Sequence, residues 1–382
     1  MDKIPEILLK PRTWLKAYLF VFVAIIINQV TLKHDGITNN FRIFRSSFYN
    51  LTKGADLYAT HADLYIDLYK YSPGFAALMA PFYALPPALG LFVWNGLNML
   101  APLWAIQNLR LQPATKALAL FFILPSLTSS VQGAQSNGLM LGLMLGSFQF
   151  MENKKPAWAA LLLCLGFHTK LFAALAGILF VCYERKTRFL LACLFWLVLL
   201  GALPLLFTSA ELLAAQYKSW VHLLTHDQAY ESNYSIMAFS ERALGIRAPG
   251  AVYIIPGLFL LVSPLLRVRE MNTYLYRLLW LSAVLLWVVV FNHKAESATF
   301  VIAAAGAILW FVVQPCTRIN LALLMLVFVL TVLSPTDFFP SFLRITYVHP
   351  YALMVFPCIL TWGAAMWLLL RAKPGDLKEV FS

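Results

Sequence analysis

Long apolar runs divide this chain, and they restrict its fold more than any other feature of the sequence. Crossing a bilayer as a helix takes about 20 mostly apolar residues, and fewer where the helix is broken or the membrane is thin. Inside lipid the backbone must satisfy its own hydrogen bonds, and helices are the available solution. The sequence therefore predicts an all-α bundle that crosses a membrane many times. The most extended runs are Trp14–Leu32, Phe189–Phe207, Leu278–Phe291, Ile319–Leu333 and Tyr347–Leu370.

The composition excludes an ordinary soluble protein. Hydrophobic residues make up 61% of the 382 positions and charged residues only 12%, whereas a globular domain has about 25% charged residues. The five cysteines all lie within or at the edges of apolar runs, so they indicate neither a disulfide framework nor a metal site. The first apolar run follows basic residues but lacks a small-residue cleavage site, and we interpret it as a retained first helix.

The basic residues indicate a topology. The net charge is +12, but Lys and Arg stand in short groups between apolar runs, which is typical of cytoplasmic loops and not of a nucleic-acid-binding surface. A cytoplasmic N-terminus makes every inner turn basic and places both termini in the cytoplasm, with about ten to twelve helices. We expect one plasma-membrane domain over residues 1–382, with short helices in the first outer loop. The outer segments are 33–71, 209–249 and 335–346, and we expect them to fold against the helices.

Two local patterns refine this bundle. A His-Thr-Lys sequence at residues 168–170 interrupts the apolar stretch 157–183. Each half is too short to cross a membrane, which predicts a pair of half-depth helices that leaves and returns. Glycines repeat every four residues from 138 to 146, a spacing that lets two helices approach closely.

A few ionisable residues stand at membrane depth or at its outer edge, where charge is costly and by default marks a functional site. They are Asp35 after the first helix, His168 and Lys170 in the interrupted stretch, and His293, Lys294 and Glu296 in a turn between two apolar helices. Two ordinary alternatives remain open from the residues alone. Asp35 is compatible with a solvated helix end, and residues 293–296 with a loop that holds a local ion pair.

The combination of one isolated outer carboxylate and several cations favours a reaction site. A carboxylate can take the proton of a hydroxyl group as a general base. Cations near the outer face can neutralise a departing phosphate. Together these groups suit transfer of a group from a lipid phosphate to an alcohol. Asp35 has no adjacent acidic partner, and hard divalent cations usually need more than one carboxylate, so we expect no metal and no cofactor.

The order of these features resembles the polytopic glycosyltransferases of the GT-C class, most closely glycosyltransferase family 87, the polyprenyl-phosphate-mannose-dependent type. The resemblance covers roughly residues 14–310. It rests on Asp35, Gly54-Ala55-Asp56-Leu57-Tyr58, Tyr71-Ser72-Pro73, Gly133-Ala134-Gln135-Ser136-Asn137, the lone Lys170 and Asn233-Tyr234-Ser235.

The resemblance implies a GT-C-like architecture and an inverting transfer of a hexose, expected to be mannose, at the outer membrane face. The donor would be a polyprenyl-phosphate-linked sugar and the acceptor a glycolipid or glycan, with no nucleic acid involved. Asp35 would be the catalytic base. The residues expected to bind the donor phosphate or the substrates are Tyr71, Gln135, Asn137, His168, Lys170, Asn233, His293, Lys294 and Glu296.

Two other classes of function are compatible with the sequence. A transporter or flippase of lipid-linked sugars would also use His and Lys within the membrane, but it needs no base at the outer surface. A non-catalytic membrane scaffold would need neither Asp35 nor Lys170. Transfer of a sugar to a product distinguishes the enzyme from both.

Overall fold

A computed structural model describes residues 5–32, 38–226, 233–267 and 272–380 of the chain. Every regular element in this part is a helix, which confirms the all-α prediction. Several helices begin where the sequence supplies a start signal. Pro87, Pro113 and Pro156 each lie at the start of a helix, where the missing N–H of proline costs no hydrogen bond.

The α-helices of the described part are labelled α1 to α18 in chain order. They are Glu6–Leu9, Pro11–Leu32, Asn39–Thr52, Pro73–Leu78, Ala80–Ala84, Pro87–Gln107, Pro113–Gln132, Asn137–Glu152, Pro156–Thr169, Lys186–Ala202, Ala210–His226, Ile236–Leu244, Gly250–Val262, Tyr274–Val290, Phe300–Val312, Arg318–Val327, Ser341–Leu343 and Phe356–Arg371. Helices of 3₁₀ type are Leu171–Cys182, Leu203–Leu206, Ser263–Arg267, Ser297–Thr299 and Pro374–Asp376, and π-helical turns are Phe328–Leu333 and Arg344–Val348.

The helices divide into a lipid-facing set and an interior set. Within the described residues, five are long and apolar enough to cross a membrane and six are shorter and apolar, in agreement with the predicted ten to twelve. The apolar windows of Lys186–Leu206 and Gly250–Arg267 are each only 17% buried, so most of their apolar surface is free to face lipid. In contrast, nearly every residue of α14 and α15 is buried. The chain is therefore a membrane-embedded bundle with α14 and α15 in its interior.

The helix α9 and the 3₁₀ helix Leu171–Cys182 form the pair predicted from the interruption at residues 168–170. The 14 residues of α9 rise about 21 Å. The 12 residues of the 3₁₀ helix rise about 24 Å, because this helix gains about 2.0 Å per residue. Tyr183, which follows it, donates a hydrogen bond of 2.6 Å to Oε1 of Glu152, shortly before α9 begins. The pair therefore returns to the end of the bundle from which it starts, as predicted. The half-depth part of the prediction is wrong, because Lys170 at the corner of the pair contacts Asn137, the first residue of α8, so each half is as long as that helix.

The helix α8 packs closely on α6 through its glycines, as their spacing predicts. A Cβ atom at Gly138 would overlap the backbone carbonyl of Asn98, and one at Gly142 would overlap Ala101. Asn137 is the first residue of α8 and Glu152 is its last. We call the end of the bundle at Asn137 the site end and the end at Glu152 the opposite end.

The segments 38–72 and 210–244 are folded against the bundle and against each other. Their aromatic side chains form a small core that is separate from the main core of the bundle. Gln216 of α11 accepts a hydrogen bond of 3.0 Å from the N–H of Leu57 and donates one of 2.8 Å to the carbonyl of Ala55. These contacts confirm that the two segments are not free linkers.

The start of the last predicted helix is wrong. The apolar run 347–370 predicts one continuous helix, but α18 begins only at Phe356 and turns occupy residues 349–355. Pro350 and Pro357 lack the N–H groups that a continuous helix needs there. Ala352 has a left-handed backbone with φ of +51° and is fully buried. Hydropathy records this burial but does not distinguish buried turns from a helix.

Candidate functional site

A cavity of about 540 Å³ opens at the site end of the bundle. Five described parts of the chain border it: the corner after α9, the turn between α14 and α15, residues 67–72, α11, and Asn233 before α12. The volume falls within the range of about 300–1,000 Å³ that is usual for small-molecule sites. Apolar side chains form part of its wall, namely Phe167, Leu171, Phe172, Leu223 and Leu224.

Lys170 stands at the corner of the cavity where α9 ends. Its backbone is extended, with φ of −144° and ψ of 114°, which stops the α-helix at Thr169. Its ammonium group donates a hydrogen bond of 2.6 Å to Oδ1 of Asn137, the first residue of α8. A lysine ammonium has three N–H donors, and within the described residues this one makes a single hydrogen bond. The group therefore retains capacity for a ligand in the cavity.

His168 is held at both ring nitrogens. Nδ1 lies 3.0 Å from Oγ of Ser72, and Nε2 lies 3.2 Å from the carbonyl oxygen of Leu197. That carbonyl can only accept, so a neutral ring carries its proton on Nε2. Oγ of Ser72 also donates a hydrogen bond of 2.8 Å to the backbone carbonyl of His168. Gly74 permits the close approach, because a Cβ atom there would lie 2.8 Å from Nδ1. His168 thus fastens the first loop to the corner at Lys170.

The turn between α14 and α15 carries three of the predicted residues: His293, Lys294 and Glu296. Oδ1 of Asn292 accepts a hydrogen bond of 2.9 Å from the backbone N–H of Lys294, which closes the turn. Nδ2 of Asn233 donates a hydrogen bond of 2.7 Å to the carbonyl of His293. The segment before α12 therefore holds the turn against the cavity.

Glu296 brings a carboxylate to the cavity wall. Gln135 donates a hydrogen bond of 3.0 Å from Nε2 to Oε2 of Glu296, which links the turn to the segment before α8. Tyr71 also lines the cavity. Burial raises the pKa of its phenol well above the ordinary value, and the charge of Glu296 raises it further. Tyr71 therefore remains protonated at neutral pH and can act as an O–H donor.

Positive charge exceeds negative charge around the cavity. Lys70, Lys170 and Lys294 line it, together with the carboxylates of Asp67 and Glu296. Nζ of Lys70 lies 3.2 Å from Oδ1 of Asp67, an exposed ion pair of the kind that contributes little to stability. Ammonium groups bind anionic oxygens strongly, and carboxylate oxygens accept hydrogen bonds from hydroxyl groups. The lining suits a ligand that carries both an anionic group and hydroxyl groups.

The structure brings most of the predicted residues to one place. Seven line the cavity: Tyr71, His168, Lys170, Asn233, His293, Lys294 and Glu296. Gln135 and Asn137 lie behind the wall and bind Glu296 and Lys170. Asp35 lies outside the described residues, so its role stays a prediction. In the part of the chain that the structure describes, no three His, Cys, Asp or Glu side chains are grouped so as to hold a metal ion.

Lys70 and Trp220 are among the wall residues that sequence reasoning missed. Lys70 lies in a loop and has the appearance of any surface lysine, although its position directly before Tyr71 was an available signal. Trp220 comes from α11 and donates a hydrogen bond of 3.4 Å to the carbonyl of Lys70. No local pattern marks Trp220, because its place in the cavity depends on how α11 docks on the first loop.

The sequence profile of glycosyltransferase family 87 matches residues 69–335 of the chain. This range is more than half of the chain and contains the cavity wall from Lys70 to Thr299. No curated protein matches the chain. The chain belongs to glycosyltransferase family 87 and is a membrane-embedded glycosyltransferase.

Proposed function

We propose that this family 87 glycosyltransferase transfers a hexose, specifically mannose, from a polyprenyl phosphate to the hydroxyl group of a glycolipid or glycan acceptor. The observation that carries the proposal is the setting of Lys170. Its ammonium group stands in an apolar bundle, is held by Asn137 at 2.6 Å and faces a cavity of about 540 Å³. Such a cation within a membrane favours an anionic group attached to a lipid, which a polyprenyl phosphate provides.

The proposed reaction breaks the bond between C1 of the sugar and a phosphate oxygen, and it forms a bond between C1 and the acceptor oxygen. Asp35 takes the acceptor proton as general base. Lys170, together with His293 and Lys294 of the same cavity wall, stabilises the negative charge of the departing polyprenyl phosphate. Attack from the side opposite the phosphate inverts the anomeric centre.

The remaining residues of the predicted set receive roles according to their charge and contacts. We assign Glu296 and Asn233 to hydroxyl groups of the sugars, since a carboxylate repels a phosphate. Tyr71 supplies an O–H donor in the same cavity. Gln135 and Asn137 act as positioning residues for Glu296 and Lys170, and His168 acts as a positioning residue for the corner.

We also propose that the site end faces the outside of the plasma membrane and that both termini are cytoplasmic. Membrane proteins carry an excess of basic residues on their cytoplasmic side. Arg110, Arg185 and Arg277 all lie at the Glu152 end of the bundle, which we called the opposite end. A membrane-impermeant thiol reagent should label a cysteine placed at Lys70 in intact cells. Labelling at Arg185 instead of Lys70 would reverse the orientation.

The base is tested by Asp35→Asn in folded, detergent-purified protein. With polyprenyl-phosphate mannose as donor and host glycolipids as acceptor, we expect transfer to fall by about 10²–10⁴-fold, the usual contribution of a general base. Unchanged turnover would exclude Asp35 from this role. Polyprenyl-phosphate glucose in a parallel assay tests the sugar, and movement of the labelled donor across vesicles without product would favour a transporter.

A further inference from the structure

A second cavity adjoins the first, and the proposed reaction does not use it. Its volume is about 300 Å³, at the lower end of the range of about 300–1,000 Å³ for ligand sites. Leu223 of α11 lines both cavities, so the two meet at this side chain. The lining residues are Asp56, Tyr58, Lys218, Ser219, His222 and Leu223.

The carboxylate of Asp56 is fixed in the wall of this cavity. Oδ1 accepts a hydrogen bond of 3.0 Å from the N–H of Tyr58, and Oδ2 accepts one of 3.3 Å from Oγ of Ser219. An ionised carboxylate offers about four lone-pair positions, so these two bonds leave room for a ligand. Asp56 is therefore oriented by the protein without being saturated by it.

The motif at residues 54–58 is built to hold Asp56 in this position. Gly54 has φ of +67°, a left-handed conformation that suits glycine, and this residue turns the chain after α3. The double hydrogen bond of Gln216 to Ala55 and Leu57 then fastens the motif to α11. The same helix supplies Ser219 and His222, so the two walls of the cavity are joined directly.

The lining suits the hydroxyl groups of a sugar. Asp56 accepts hydrogen bonds, Lys218 and His222 can donate them, and Ser219 can do both. The hydroxyl of Tyr58 is engaged with the carbonyl of Tyr71 at 2.8 Å, which leaves its ring as an apolar contact. The negative charge of Asp56 would repel a phosphate, and the described residues contain no group of three metal-ligating side chains. A neutral polyhydroxyl ligand fits this wall best.

We infer that the second cavity binds a sugar unit of the acceptor, adjacent to the unit whose hydroxyl group is glycosylated. This inference rests on the proposed function, because it assigns the first cavity to the donor and the reacting hydroxyl. The acceptor then runs past Leu223 from one cavity to the other. It follows that the preferred acceptor is a glycan of at least two units and not a simple lipid alcohol.

The experiment measures how the wild type and three variants use acceptors of increasing length. The acceptors are methyl mannoside and linear manno-oligosaccharides of two and three units, with polyprenyl-phosphate mannose as donor. The variants are Asp56→Asn, His222→Ala and the control Glu211→Gln, which neutralises an exposed carboxylate of the same helix that does not line the cavity. His226 is not a suitable control, because its ring stacks on His222 at 4.1 Å. For each protein we measure the KM for each acceptor, the rate of donor hydrolysis, and oligosaccharide binding without donor.

We expect Asp56→Asn and His222→Ala to raise the KM for the longer acceptors about tenfold, the loss expected for one hydrogen bond to a charged group. The KM for methyl mannoside, donor hydrolysis and the control should stay within about twofold. An equal change for all acceptor lengths, or no change for any, would overturn the subsite. If no protein transfers mannose but binding of oligosaccharides still depends on Asp56, the proposed function fails while the subsite stands.

Discussion

Glu152 and Lys170 are ionisable groups at opposite ends of one apolar bundle, and the protein surrounds them in opposite ways. Glu152 accepts hydrogen bonds of 2.6 and 2.8 Å from Arg277 and one of 2.6 Å from the hydroxyl of Tyr183. Nη1 of Arg110 lies 3.8 Å from its Oε2. Both oxygens of this carboxylate are therefore hydrogen-bonded to protein groups. We call Glu152, Arg277, Tyr183 and Arg110 the closed cluster.

At the site end the polar groups are only partly satisfied by protein. Lys170 makes one hydrogen bond in the described part of the chain, to Asn137, whose own Nδ2 has no partner among the described residues. We call Lys170, Asn137, Gln135 and Glu296 the open cluster. A buried charge that the protein saturates contributes to structure, whereas one that it leaves partly satisfied beside a cavity is available to a ligand.

The two clusters are carried by the same elements. The helix α8 begins at Asn137 and ends at Glu152. The 3₁₀ helix is flanked by Lys170 and Tyr183, and α14 connects Arg277 to the turn that carries Glu296. Pairing at the closed cluster therefore fixes the three elements at one end. Their other ends position the residues of the open cluster but leave part of their hydrogen-bonding capacity unused.

The largest effect on stability should come from breaking the closed cluster. Arg277→Met leaves Glu152 buried without its main partner, the side chains of the pair being only 12% and 4% exposed. Removing one partner of a buried pair costs about 3–5 kcal/mol, which should lower the midpoint of thermal unfolding in detergent. Arg371→Met, which removes an exposed arginine stacked on Trp367, serves as control and should shift the midpoint little. Equal shifts in the two variants would show that the closed cluster is not structural.

The next prediction concerns the open cluster, where a substitution should reduce activity and leave stability unchanged. Lys170→Met removes the cation that we assign to the departing phosphate, so transfer should fall by about 10²–10³-fold, the usual loss for one electrostatic contact to a transition state. The midpoint of unfolding should remain close to that of the wild type, because the open cluster is not saturated. A variant that unfolds as early as Arg277→Met would assign Lys170 a structural role instead.

A smaller effect should sharpen the role of Asn137. Asn137→Ala removes the hydrogen bond to Lys170, and transfer should fall by about tenfold, as for a hydrogen bond to a charged group. The same substitution in the Lys170→Met background should then have little further effect, because its partner is already absent. Independent losses in the double variant would show that Asn137 acts on something other than Lys170.

Much of the scaffold could be predicted from sequence because its causes are local. The glycine spacing at 138–146 predicts the close packing of α8, and the interruption at 168–170 predicts that the chain turns there and returns; both features are present. The half-depth geometry is wrong, because each half of the pair runs the length of α8. The late start of α18 was not predictable from hydropathy, since the turns at residues 349–355 consist mostly of apolar residues, as a helix in the membrane would. The 3₁₀ geometry of Leu171–Cys182 was also missed, because composition does not distinguish 3₁₀ from α-helix.

The residues of the candidate site could be named in part, but their partners could not. Lys170 and Glu296 were visible as charges that apolar surroundings make costly. Their partners Asn137 and Gln135 were suggested only by family resemblance. The pairing depends on how the start of α8 docks on the corner after α9 and on the turn between α14 and α15. Glu152 was overlooked, because a glutamate beside Lys154 at the end of an apolar run has the pattern of an ordinary loop.

The most direct test of the open cluster is the affinity of the purified protein for polyprenyl phosphate and for the uncharged polyprenol of the same chain length. We predict that the wild type binds the phosphate at least about tenfold more tightly, as expected for one charge-assisted contact. Lys170→Met should lose this preference while its affinity for the polyprenol stays unchanged. If Lys170→Met keeps the full preference for the phosphate, the open cluster is not the phosphate site.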